Sequence, residues 1–547
     1  MFSKTDMGLA CGHVSIRGLL VVLGLMFWAA LPLVDSSRIL FTTSVASTIS
    51  HYMNFREVMR ALTDRNHQVT FLVPVSNPVI THKKHEQDDH FKFELYNGKL
   101  NQSILNEHID IFKKEITTKS SEDLRLINFA IKAVFGKSST TTSNPWEVAS
   151  DECDSLLGNE TLVTRLNNSN YDLLIGDPAA NLCTPLLAEV LSIPFIQYAT
   201  QGLQIFHHDR WLGQPINPSF MPMPYMPFCD DMSFIERTAN FICFICGSHL
   251  VDRNTLSLFE KVKEKYGIRP DLSLNDLIKK AWLHLVNSDV HVQDLPSPLP
   301  PNFIQVGGIT ARPALPFNES LERFFEGSGQ HGVVVISFGT SLSFGDEQLD
   351  DIARAISRLR QRVIWLLRDN APTHVGNNTM IVNWLSMNDI LGHPKTKLLV
   401  NHGGTSTVQE AIYHGVPMVL VPLASDMFKI ADLAVCRGMA VKLVMPTLTG
   451  TILKDAIESV LSQPSYSQSS RHLSLIFKAK TPSPVDTASF WIEHVMKHGG
   501  DHLKLPPAQN LSVLQCMLTC ILGVCAISLI LLLKFSSLFI RKMYTKI

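Results

Sequence analysis

Two α/β lobes facing one cleft, followed by an apolar segment that can cross a bilayer, are predicted by three features of this 547-residue sequence. Short runs rich in Val, Ile and Leu alternate with amphipathic helical stretches in both halves, the pattern of parallel sheets covered by helices. A Pro-rich segment from Pro296 to Ile309 separates those halves. Near the end, Leu511 to Leu533 runs for 23 residues without a formal charge.

The first lobe opens with a buried strand at Arg38 to Val45, then His51, then a helix whose Phe55, Val58, Met59 and Leu62 share one face. A second strand runs from His67 to Pro74. From Asn77 to Trp146 the chain is polar and irregular, with helical pieces expected such as "DLRLINFAIKAVF", residues 123–135. "YDLLIGDPAANLC" then gives a strand ending at Asp177 and a helix, and Ile193 to Thr200 gives the next strand. Pro215 to Phe241 is too rich in Pro to be regular in its first half. The second lobe places strands at "GVVVISFGT", "RVIWLLR", "MIVNWL", "KLLVNH" and "MVLVPL", with helices between them and a late helix at Val485 to His498. Residues 36–295 and 296–505 are therefore expected to form the two lobes.

The termini carry address signals. Arg17, the apolar run Gly18 to Leu31, and small Ser36 and Ser37 read as a secretory signal peptide over residues 1–35. Residues 511–533 read as a single transmembrane helix, and Lys534, Arg541, Lys542 and Lys546 place the tail, 534–547, in the cytoplasm. The expected topology is thus type I, with both lobes lumenal. Six Asn-x-Ser/Thr sequons, at Asn101, Asn159, Asn167, Asn318, Asn377 and Asn510, agree with it. Six of the ten cysteines fall in the lumenal part, too sparse for a disulfide scaffold, and the lone Cys243-x-x-Cys246 lacks the partners of a zinc site. A formal charge of −1 gives no electrostatic grip on nucleic acid.

The chemistry concentrates between Trp384 and Asp426. A strand ending in Asn401-His402, then Gly403-Gly404, then a helix from Thr405 to His414, then a buried run from Met418 to Leu423 is a βαβ unit. Glycines before a helix let backbone approach a ligand, and the helix start offers free N–H groups and a positive dipole end to a phosphate. Ser406 and Glu410 are four apart, on one helix face, where a carboxylate can accept from ribose hydroxyls. Trp384 offers a plane for a base, and Asp426 follows a strand at the carboxyl edge where ligands bind.

Over some forty residues, "NDILGHPKTK…NHGG…EAIYHGVPMV…PL…D" closely resembles the signature of the UDP-glycosyltransferases, which include the UDP-glucuronosyltransferases. The resemblance implies a GT-B fold, two Rossmann-like domains facing a cleft, with a lipophilic acceptor in the first lobe and a UDP-sugar in the second. It implies that His51 is the base that deprotonates the acceptor and that Asp177 holds it, although each also has a plain structural reading, a surface histidine and a helix N-cap. It assigns Thr340, Trp384, His402, Gly403, Gly404, Ser406, Glu410 and Asp426 to the donor. UDP-sugar then acts as co-substrate without any cofactor. No Asp-x-Asp motif occurs, so no metal is expected on the diphosphate. Residence in the endoplasmic reticulum membrane rests on the resemblance alone, and self- or hetero-association is left open.

Three positions depart from the family: Met387 and Met427 where it usually has Gln, and Ser406 where it often has Asn. Met427 matters most, since Met offers no strong hydrogen bond to a sugar. The rival readings are a membrane-anchored relative that binds nucleotide sugar without transferring it, and an epimerase acting on the nucleotide sugar itself.

Overall fold

The computed structural model describes residues 36–43, 49–77, 80, 88–98, 145–178, 181–200, 217–223, 226, 228–229, 231–251, 255–289, 299–339, 344–367, 371–423, 426–504, 526–534 and 536. The expected signal peptide, the helical piece expected at 123–135 and Thr340 lie outside them. Of the expected membrane span only 526–533 are described; they are helical, with Ile527, Leu529 and Leu533 exposed. Among the described residues no helix is long and apolar enough to cross a membrane.

Two parallel sheets organise the chain. The first contains β1 (Arg38–Thr42), β2 (Gln68–Pro74), β3 (Lys92–Tyr96), β4 (Leu173–Gly176), β5 (Phe195–Ala199), β6 (Leu283–Val286) and β7 (Phe303–Gln305), in the order β3-β2-β1-β4-β5-β6-β7. The second contains β8 (Val333–Ser337), β9 (Arg362–Leu366), β10 (Thr379–Val382), β11 (Thr396–Asn401), β12 (Met418–Leu420) and β13 (Ala440–Lys442), in the order β10-β9-β8-β11-β12-β13. Central strands such as β1, β4 and β8 are buried on both faces, which is why they read as unbroken apolar runs. Strand order reverses between β1 and β4 in one sheet and between β8 and β11 in the other. Neighbouring crossovers run to opposite sides at such a point and leave a crevice beyond the carboxyl ends of the strands.

The helices that matter to the cleft are α1 (Ile49–Asp64), α2 (Cys183–Leu191), α3 (Met387–Gly392), α4 (Thr405–His414), α5 (Met427–Cys436), α6 (Pro464–Lys478) and α7 (Pro484–His498). α1 buries Tyr52, Phe55, Val58, Met59 and Leu62 against the first sheet. α4 ends on Gly415 at φ 71°, a left-handed cap that suits glycine.

The structure departs from the sequence reading in four places. The Pro-rich segment is not a clean boundary: β7, inside it, pairs with β6 and completes the first sheet. α7, expected to belong to the second lobe, crosses back and packs Ala488, Ile492 and Val495 into the core of the first. Arg65 at the end of α1 bonds Glu493 at 2.9 Å and Asp486 at 3.0 Å on α7. The irregular region from Asn77 contains β3, an edge strand whose alternating, partly exposed side chains hid it. The strand expected to include Trp384 stops at Val382.

Among the described residues two disulfides form, Cys153–Cys183 within the first lobe and Cys229–Cys436 between lobes. The second ties the last residue of α5 to a segment of the first lobe 207 residues earlier in the chain. Closing so long a loop removes much unfolded-state entropy. Replacing Cys436 by Ser is expected to lower stability by about 2–4 kcal/mol, read as a lower midpoint in guanidinium, and to remove the Cys229–Cys436 peptide from a non-reducing digest of the full chain.

Candidate active site

His51 lies in the first turn of α1, just beyond β1, and Asp177 and Thr200 follow β4 and β5 directly. Three adjacent strands thereby deliver three side chains to one edge. His51 Nδ1 is 2.5 Å from Asp177 Oδ2, and Thr200 Oγ1 is 2.7 Å from the same nitrogen and donates to the same carboxylate oxygen at 2.9 Å. Asp177 is fully buried. It does not cap α2, whose N-cap is Leu182, so the helix-cap reading of Asp177 falls away. Gly176 lets α2 sit close behind it: a Cβ there would meet the Thr184 hydroxyl at 2.0 Å.

Burial alone would push the His51 ring down, but the charge and hydrogen bond of Asp177, helped by the charge of Asp426, outweigh it and raise its pKa above the ordinary 6.5. Asp426 belongs to the other lobe, so its field on His51 marks the two edges as facing each other.

On that opposite edge, β11 ends at Asn401 and α4 begins at Thr405. Asn401 ties the turn together: its Nδ2 donates to the Ser337 carbonyl at 2.8 Å, and its Oδ1 accepts from the N–H groups of Gly403 at 2.9 Å and Gly404 at 3.2 Å. The glycine N–H groups are therefore spent inward, contrary to a phosphate cradle built on them. What the glycines contribute is missing bulk. Gly403 adopts φ 87°, and a Cβ on Gly404 would stand 2.9 Å from His402 Nε2. Gly339, at φ 75° after β8, flanks the same ring, where a Cβ would lie 2.7 Å from its Cε1. The first intrahelical bond of α4 runs from Val408 to Gly404 at 3.0 Å, so the amides of Thr405, Ser406 and Thr407 precede the ladder at the helix start.

His402 is held at about 4 by burial, with the Ser337 carbonyl opposing. At neutral pH the ring is therefore uncharged. Glu410 is pushed up to about 8 by burial, against the opposing Thr310 hydroxyl, which donates to it at 2.7 Å, and against Arg312. Arg312 cannot neutralise it, because its fork is spent on Asp389 at 2.7 and 3.0 Å. Asp426 accepts from the Thr405 hydroxyl at 2.9 Å. Trp384 stands 45% exposed in the loop before α3. Ser406 is bonded across the cleft: Asn54 Nδ2 on α1 donates to its Oγ at 2.9 Å. Met387 and Met427 both pack on apolar clusters, and the backbone of Met427 lies 3.2 Å from where a Gly403 Cβ would be.

With this geometry in hand, comparison with known proteins is direct. The profile of the family described as "UDP-glucoronosyl and UDP-glucosyl transferase" matches residues 41–546. The chain belongs to this family. Among its curated relatives, UDP-glucuronosyltransferase 2B1 of Rattus norvegicus is 31% identical over 497 residues, covering 87% of this chain and 89% of that protein. UDP-glucuronosyltransferase 2B13 of Oryctolagus cuniculus is 33% identical over 462 residues, 83% and 84% of the two chains. The 2-hydroxyacylsphingosine 1-beta-galactosyltransferase of Homo sapiens is 28% identical over 524 residues, 96% and 92%. Among solved structures, the kitacinnamycin glycotransferase superposes with a TM-score of 0.56 at 17% identity, over 84% of this chain and 100% of that one. Glycosyltransferase VinC in complex with DTDP does so with a TM-score of 0.56 at 18% identity, over 84% and 100%. These establish the GT-B fold. This UDP-glycosyltransferase thus has the two parallel sheets of that fold, and the residues that carry the family signature lie at the carboxyl edge of the second.

Sequence reasoning missed Asn54, Thr200, Asn287, Thr310, Gly339 and Asn401. Only two left a signal: Thr200 ends a strand beside the one ending at Asp177, and Asn401 immediately precedes His402.

The Gly339 contact generates an expectation. Gly339→Ala forces a left-handed backbone on a Cβ and drives it into His402. It should weaken UDP binding by calorimetry about tenfold or more, while Gly345→Ala, which has open space around it, leaves binding unchanged.

Proposed function

We propose that this UDP-glycosyltransferase is an inverting enzyme that moves a sugar from a UDP-sugar to a hydroxyl of a small lipophilic acceptor. The observation that carries this reading is the His51–Asp177–Thr200 cluster, which faces Asp426, His402 and the start of α4 across the cleft. With its Nδ1–H donated to Asp177, the ring presents Nε2 to the cleft. The acceptor oxygen attacks the anomeric carbon, its proton passes to Nε2, and the bond from that carbon to the diphosphate breaks, releasing UDP with inverted configuration. In this reading the charge that develops on the diphosphate meets the amides at the start of α4, beside the ring of His402. Glu410 is placed for the ribose, Asp426 for the sugar and Trp384 for uracil; Thr340 belongs with the phosphate-binding group.

The curated relatives favour a glucuronosyl or galactosyl donor. In our reading the chain enters the endoplasmic reticulum by its signal peptide and is held by a single C-terminal span, lobes lumenal. A specific observation supports a second reading, in which the nucleotide sugar is bound but not transferred: Met427 packs on apolar neighbours and offers the sugar no hydrogen bond.

Incubating microsomes that express the full chain with UDP-glucuronic acid, UDP-glucose, UDP-galactose, UDP-xylose and UDP-N-acetylglucosamine, with phenolic and steroid acceptors, separates the readings. Transfer lost in His51→Ala supports the enzyme; binding of UDP-sugar with no transfer supports the second. The sign of the pH dependence follows from His51. Its raised pKa keeps the ring protonated, and unable to accept a proton, until pH passes above the ordinary 6.5. Then kcat/KM should rise with pH through a limb above 6.5. In Asp177→Asn only the more distant charge of Asp426 still opposes burial, so the limb should move to lower pH while the plateau falls about 10²- to 10⁴-fold.

A further inference from the structure

Asn54 lies one turn beyond His51 on α1 and is 1% exposed. Its amide is fully committed. Nδ2 donates to the Ser50 carbonyl at 2.8 Å and to Ser406 Oγ, across the cleft, at 2.9 Å; Oδ1 accepts from Asn287 Nδ2 at 2.9 Å. A backbone carbonyl can only accept, so the atom facing Ser50 must be the amide nitrogen. Its second proton then goes to Ser406, and the direction of that bond is fixed: the serine oxygen accepts. A hydroxyl that accepts one bond retains its own proton for donation. Ser406 is the second residue of α4, on the turn where the amides open toward the proposed diphosphate.

We propose that Asn54 is a positioning residue for the donor nucleotide: by donating to Ser406 from the opposite lobe, it aims the serine hydroxyl proton at a diphosphate oxygen. The inference rests on the reading of α4 as the diphosphate site and goes beyond it by assigning a first-lobe residue to donor binding. A hydroxyl donating to an anion becomes a better acceptor, so the Asn54 bond strengthens as the nucleotide arrives. Ser406, shorter than the Asn the family often places there, reaches the phosphate with help that a longer amide would not need. Asn287 completes the link. It donates to the Thr200 carbonyl at 3.0 Å and accepts from the Gly308 amide at 3.3 Å, so the position of Asn54 is set by the strand ends that also set the His51 cluster.

Asparagine to aspartate is nearly isosteric but reverses the bond. A carboxylate at 54 accepts from Ser406 and draws its proton away from the nucleotide. The test uses the full chain in microsomes or detergent, with UDP itself as the probe, so it does not depend on knowing the sugar or the acceptor. Asn54→Ala is expected to weaken UDP binding about tenfold and Asn54→Asp more. The Asn54→Ala/Ser406→Ala double variant should be no weaker than Ser406→Ala alone, within twofold. In a transfer assay the Asn54→Ala loss should appear in the donor KM, with kcat recovered at saturating donor, an outcome that general damage to the fold would not give. Additive effects of the two substitutions, or Asn54→Asp binding UDP within twofold of the native chain, overturn the proposal and leave the donor site intact. A native chain that binds no UDP overturns both readings together.

Discussion

The seam between the two lobes is closed by polar groups that have no water to turn to, and their mutual satisfaction fixes how the lobes meet. Asn287, fully buried at the end of β6, holds Asn54 and Thr200 in the first lobe; its carbonyl accepts from Gln409 Nε2 of α4 at 3.1 Å, and Gln409 Oε1 accepts from Gly308 at 3.0 Å. Any slide of one lobe would leave buried amides unpaired, at a cost larger than that of a lost surface contact. Lys480, just after α6, adds an ion pair to Asp289 and a bond to the Gly307 carbonyl at 2.8 Å. Together with α7 crossing back to α1 and the Cys229–Cys436 bridge, this makes the cleft a place of defined width.

Enclosure by that seam also sets the electrostatics. Burial acts on His51, His402 and Glu410 alike, yet only His51 ends with its charged form favoured, because only His51 has a carboxylate in hydrogen-bond contact. His402 and Glu410, with no opposite charge left for them, are driven toward their neutral forms. One lobe thus presents an imidazole paired with a buried carboxylate, and the other presents the start of α4 beside a His402 ring and a Glu410 carboxyl held toward their neutral forms. That division suits a reaction in which a proton leaves on one side and negative charge accumulates on the other.

Much of this was readable in advance at positions where chemistry and local structure coincide. A strand that stops at His-Gly-Gly and opens into a helix is a local event, so β11 and α4 could be placed from a few dozen residues. His51 and Asp177 were legible because each sits at the end of an apolar run, and strand ends of a parallel sheet share an edge. Trp384 was recognised as a type of residue, but its strand was drawn three residues too long, since an edge strand ends where pairing ends and not where hydrophobicity does. Asn54, Asn287 and Gln409 gave no signal. A buried amide is defined by its partners, and theirs are up to 352 residues away in the chain.

The amino-acid order by itself determined the alternation of strand and helix, the glycine turn between β11 and α4 and the residue types at each strand end, because these follow from side-chain period and backbone freedom within one unit of structure. Tertiary structure alone decided that β7 and α7 belong with the first lobe, that the glycine amides turn inward to Asn401, and that Asn54 meets Ser406. Each of those outcomes depends on which buried polar or apolar surface finds its complement across the molecule, and no local pattern carries that information.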